Sequence, residues 1–192
     1  MTARHPSRGR RPRRPAQARR ALLAAAAALA VLAPAASCGS AQAAAPGCGE
    51  AERLAVVAQS VPGASYLPCL NGLPEGWRLT RFDVARGHTR MSLLSDRAGG
   101  RAARVELTDG CEVGAATPDT PRAVGVRSYT LLRSITGRYA GTRYDVFPGG
   151  CVSYRFDFDR GPHIALMEQL DEAVGLVPRR ELHDRLGVEL DP

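Results

Sequence analysis

Three residues late in the chain have types and spacing that could hold a cation. In Asp157-Phe158-Asp159 the carboxylates stand at i and i+2, on one side of a strand, and His163 follows four residues on. Such a trio could bind a divalent cation together with a phosphate-bearing substrate. The plainer reading is an amphipathic strand turning into Arg160-Gly161-Pro162, because a D-x-D pair by itself is a weak signal. No metal and no other cofactor is therefore expected. A small secreted metal-dependent hydrolase or phosphate-ester enzyme stands as the alternative reading.

A second pattern lies in GTRYDVFPGGCVSYRFDFD, residues 141–159, where two β-rich runs flank Pro148-Gly149-Gly150, a hairpin signal. A two-residue Gly149-Gly150 loop would mix polar and apolar residues on both faces. A three-residue Pro148-Gly149-Gly150 loop sets Tyr144 opposite Tyr154, Val146 opposite Val152 and Thr142 opposite Phe156. That gives one coherent apolar face and is the expected register. Gly150 would supply the left-handed backbone. Arg143 then faces Arg155 on the other side, near Asp145 and Asp157. Like charges directly opposed destabilise a hairpin unless acids or an anionic ligand compensate. The two aspartates make a solvated ion-pair network the ordinary reading. The functional reading is an anion site at Arg143 and Arg155 for a headgroup, phosphate or carboxylate.

The chain has five cysteines. Cys38 falls within the export segment described below, which leaves Cys48, Cys69, Cys111 and Cys151, an even number. Four cysteines allow three connectivities. The favoured one is Cys48–Cys69, pinning the start of a first helix to the loop after it, with Cys111–Cys151 clamping a long loop to the hairpin tip. There is no pair at C-x₂₋₄-C spacing and no histidine beside a cysteine, which argues against zinc and against a redox motif.

The N-terminal segment dictates compartment. Residues 1–38 hold eight arginines and no acid, whereas the remainder holds 18 arginines against 19 acids, a formal charge of −1. The net charge of +7 thus belongs to the leader, and the rest lacks the basic footprint of a nucleic-acid binder. The apolar run ALLAAAAALAVLA, residues 21–33, would span about 20 Å as a helix, short of a bilayer core of about 30 Å. A basic region, a short apolar run and small residues after it make a secretory signal, with an uncleaved anchor as the competing view. Two cleavage sites compete. AASC, residues 35–38, looks like a lipobox whose Cys38 would carry the lipid anchor. AQA, residues 41–43, suits an ordinary signal peptidase. The expected organisation is an export segment at 1–38, a flexible linker at 39–47 and one domain at 48–192.

The elements that must position these residues follow from periodicity. Residues 49–61 space Leu54, Val57, Ala58 and Val61 as a helix, ended by Pro62-Gly63. Residues 64–77, with Pro68, Asn71-Gly72 and Pro74, read as a loop. Period-two runs follow at 77–85, 88–96 and 101–109, and 114–125 reads as a long loop. A further strand at 126–135 precedes the hairpin. Ile164, Met167, Leu170 and Val174 place one apolar stripe on a helix over 163–175, with Gly175 at its C-terminal stop. A last helix covers 177–187. The expected fold is α+β: an antiparallel sheet of about six strands, one N-terminal and two C-terminal helices, stapled by disulfides.

No G-x-S-x-G, S-x-x-K or H-E-x-x-H pattern occurs, and no catalytic residue is expected. The segments YLPCLNGLPEGW, SDRAGG and GTRYDVFPGGCVSYRF resemble recurring segments of uncharacterised exported or membrane-anchored actinobacterial proteins, a likeness running from Tyr66 to Phe156. The resemblance implies export and a small globular domain, and transfers no activity. The expectation is a non-catalytic, monomeric extracytoplasmic domain at the cell envelope. It would be secreted, or tethered to the outer membrane face only through its N-terminal segment. Its partner would be an envelope component or a membrane protein, not a nucleic acid.

Overall fold

The computed structural model describes residues 44–187. The expectations for residues 1–38, lipidation of Cys38 included, lie outside them. Helix α1 (Ala51–Ser60) precedes strand β1 (Tyr66–Leu70). The strands β2 (Trp77–Ala85), β3 (His88–Ser95), β4 (Gly100–Thr108), β5 (Thr117–Asp119), β6 (Arg127–Ser134), β7 (Tyr139–Phe147) and β8 (Gly150–Phe158) follow. Helix α2 (His163–Ala173), strand β9 (Val174–Pro178) and helix α3 (Arg179–Leu186) complete the order. The class is the expected α+β. The described strands number nine, not about six, and form two antiparallel sheets: a ribbon β1-β9 and a seven-stranded sheet ordered β2-β3-β4-β8-β7-β6-β5.

One face of the large sheet is the core. Met91, Leu93, Val105, Leu107, Val152, Tyr154, Phe156 and Phe158 alternate inward and meet Leu54 and Val57 of α1 and Leu166 and Leu170 of α2. Trp77 packs edge-on to Phe158 and donates its indole N–H to Gln169 of α2 at 2.8 Å. On α2 the stripe is turned from the expected one. Leu166, Met167, Leu170 and Ala173 are buried, while Ile164 is 79% exposed. At the start of the helix the His163 ring stacks on Tyr139 at 5.3 Å.

The small ribbon corrects two expectations. Tyr66–Leu70, read as loop, pairs residue for residue with Val174–Pro178, read as helix ends. Gly175 is no helix stop but faces Cys69 across the ribbon. A Cβ there would sit 2.8 Å from the Cys48 sulfur. Pro178 closes β9 and caps α3. Residues 45–47, expected as linker, are packed: Ala45 is buried, Pro46 accepts the Leu70 N–H at 2.9 Å, and Gly47 bridges Leu70.

The disulfides are Cys48–Cys69 and Cys111–Cys151, at sequence separations of 21 and 40. Loops of these lengths give each bridge about 3–4 kcal/mol in the chain-entropy account. Reduction of both should lower the thermal midpoint by about 15–20 °C for a domain of this size. Calorimetry with and without dithiothreitol measures it, and an unchanged midpoint would show that neither bridge constrains the unfolded chain. Among the described residues no helix is long and apolar enough to cross a membrane.

The β7–β8 hairpin has neither of the two registers weighed from sequence. Its loop is Pro148-Gly149, with Phe147 facing Gly150. The left-handed residue is Gly149 at φ 71°, not Gly150, which suits proline and glycine in a type II turn. Tyr144 therefore faces Ser153, Val146 faces Cys151, Thr142 faces Arg155 and Arg143 faces Tyr154. The tip is fixed by the turn after α1: Ser65 donates its N–H to the Pro148 carbonyl at 3.1 Å.

Candidate functional site

The hairpin register separates the expected arginine pair. Arg143 shares the core face with Tyr154, and Arg155 leaves from the opposite face. No anion site joins them. The physical reason is that the core face of β7 is not apolar: it carries Arg143 and Asp145, which a buried polar network accommodates.

That network stands at the junction of sheet, α2 and the loop over 109–126. Asp145 is fully buried and accepts hydrogen bonds from Ser128 Oγ at 2.6 Å and Arg122 Nη1 at 3.4 Å. Arg122 also donates to the carbonyls of Asp171 and Val174 at 2.7 and 2.6 Å, and its guanidinium lies 5.1 Å from the Tyr154 ring centroid. Burial opposes the Arg122 charge, yet Tyr154, Asp145 and Asp171 together hold its pKa above the ordinary value. Burial pushes the Tyr154 phenol well up; Arg122 acts the other way and Asp145 adds to the rise. Arg143 donates to both oxygens of Asp171 at 2.5 and 2.6 Å. Asp119 accepts from Thr130 Oγ1 at 2.6 Å, which with the Thr120 N–H and Arg143 keeps its carboxyl below the usual range. Every charge here is matched within the fold, so the cluster anchors β5, the loop and α2.

The opposite face of the large sheet is different. Arg104 on β4 stands directly opposite Arg155 on β8. Both lie between core residues, Ala103 and Val105 on one strand and Tyr154 and Phe156 on the other, so both point outward. Two β-bulges bring further arginines. Ala102 is the extra residue of β4 against β3, which leaves Arg101 outward as well as Arg104. Arg133 is the extra residue of β6 against β7. Re-aiming a side chain is what a bulge does. Arg101, Arg104, Arg133 and Arg155 line one depression of about 160 Å³ with Ser92 and Asp157. Among the described residues none of the four has an ion-pair or hydrogen-bond partner. The acids nearby are already engaged: Glu106 accepts from Arg90 at 2.6 Å, and Asp157 is held by Arg138 through two hydrogen bonds.

The Asp157, Asp159 and His163 trio is not assembled. Asp157 leaves from the outer face beside Arg138, which also pairs with Asp159 at 3.4 Å. His163 stacks on Tyr139 on the core side. No group of three or more metal-ligating side chains occurs among the described residues.

No family model, no curated protein and no solved structure matches this chain. The site therefore rests on its own geometry. Arg155 is legible in the sequence and Arg104 falls in the period-two run at 101–109, but their pairing is not legible, because β4 and β8 are joined only in space. Arg101 and Arg133 reach the depression through bulges, which leave no mark in a period-two pattern.

Proposed function

We propose that this chain is an exported, non-catalytic binding domain of the cell envelope whose ligand is an anion held on the outer face of the large sheet. The observation that carries the reading is the Arg104–Arg155 pair, directly opposed and flanked by Arg101 and Arg133, while the nearby acids Glu106 and Asp157 are held by other arginines. Like charges facing each other across a ladder cost stability, and an anion bridging them removes that cost. Arginine forks suit phosphate and carboxylate alike. Two disulfides fit an oxidising compartment, which supports export together with the basic, apolar leader.

The test is titration of the disulfide-intact protein with inorganic phosphate and with sulfate, followed by amide NMR shifts. Saturable shifts should centre on residues 101–104, 133 and 155. Arg104→Ala with Arg155→Ala should weaken binding by about 30–100-fold, as expected for losing two charge-assisted contacts. Shifts elsewhere, or unchanged binding by a folded double variant, would overturn the site.

A further inference from the structure

We infer that the anion is the phosphate monoester of a phosphorylated sugar, whose ring rests on Tyr144 and Tyr129. This rests on the anion site above and adds the class of its ligand. Charge favours a phosphate monoester. Four guanidiniums around one depression exceed what a single carboxylate neutralises. A phosphate monoester carries about −1.5 to −2 at neutral pH and offers three acceptor oxygens.

Two tyrosines stand on the same face, next to Arg155 toward the hairpin tip. Arg155 faces Thr142 on β7, and two residues along, Tyr144 faces Ser153. Tyr129 on β6 is directly opposite Tyr144. Same-face neighbours along a strand are about 7 Å apart, and adjacent strands about 4.8 Å. Tyr144 therefore begins one step along and one strand across from Arg155, and Tyr129 one strand farther, both on the hairpin-tip side of the Arg104–Arg155 pair. Both rings are half-buried, and among the described residues neither hydroxyl has a partner. An amphipathic ring with a free hydroxyl suits a sugar, which presents C–H faces and hydroxyl groups together.

A phosphate entering the depression meets the four arginines and Asp157, whose carboxylate Arg138 already holds.

Calorimetric titration of the disulfide-intact protein with a panel of pyranose 1-phosphates (glucose, mannose and N-acetylglucosamine) tests the proposal. Inorganic phosphate, free glucose and glycerol 3-phosphate serve as references. At least one sugar phosphate should bind fivefold or more tighter than inorganic phosphate, and free glucose should not bind. Tyr144→Ala with Tyr129→Ala should remove the gain and leave phosphate binding intact, whereas the matching phenylalanine variants should keep most of it. Affinity should rise between pH 5 and 7.5 as the second phosphate proton leaves near pH 6. If phosphate binds and no sugar phosphate binds tighter, the sugar proposal fails while the anion site stands. An equal gain with glycerol 3-phosphate would assign the ligand to a lipid headgroup and overturn it. If phosphate itself does not bind, the anion reading falls first.

Discussion

Replacing Asp145 by alanine should lower the stability of the domain by about 3–5 kcal/mol, the usual cost of breaking a buried ion pair from one side. The carboxylate is 0% exposed and sits between Ser128 and Arg122. Without it Arg122 keeps its two carbonyl acceptors but loses the nearest charge of opposite sign, and the Ser128 hydroxyl is orphaned. The thermal midpoint should fall by about 10–15 °C. Asp145→Asn retains an acceptor for Ser128 and should fall between alanine and the native protein, so the comparison survives even if the alanine variant does not fold. Urea unfolding of the pair reads the difference. A loss below about 1 kcal/mol for alanine would show that the network does not hold β7 against the loop and α2.

The second large effect belongs to Gly149→Ala. The residue has φ 71°, and a Cβ would lie 1.8 Å from the Gly63 carbonyl oxygen and 2.4 Å from its carbon. Both atoms are backbone, and the Ser65–Pro148 hydrogen bond holds the two turns together. Left-handed backbone costs about 1–2 kcal/mol for an alanine, and the overlap adds about 1–3 kcal/mol more. Gly87 provides the control: φ is 85° and no atom lies within 4 Å of a Cβ there. Gly87→Ala should therefore show only the conformational cost. Equal unfolding midpoints for the two variants would mean that the hairpin tip can lift off the Gly63 turn at no cost.

The class of the fold was legible because its signals are local. Alternation of Ala103, Val105 and Leu107 with charged neighbours marked β4. Pro148 and Gly149 marked the hairpin, and the spacing of Leu54, Val57 and Ala58 marked α1. The ribbon was not legible. Proline within Tyr66–Leu70 and the run-on of Val174 from α2 disguise two short strands that find each other only in space. The hairpin register failed for a physical reason. A coherent apolar face is a sound guide only where the core side is apolar, and here that side holds Arg143 and Asp145. The candidate site shows the same division. Sequence spacing set Arg155 against Arg143, a neighbour in the hairpin, whereas its partner across the ladder is Arg104 on β4, a strand that only the fold brings beside it.

The β1–β9 ribbon also sets the order in which the molecule can form. Tyr66 pairs with Pro178, so β1 waits for a segment synthesised more than 100 residues later. Cys48 and Cys69 are only 21 residues apart and can meet long before that. Loop closure favours the short contact first, and non-local pairing slows folding. A chain emerging from its N-terminus therefore holds β1 at the end of an early disulfide with its strand edge open until Val174–Pro178 arrives. In that interval the exposed edge is open to other chains. The ribbon thus pairs late, and any chain that stops short of Val174 leaves the edge of β1 open.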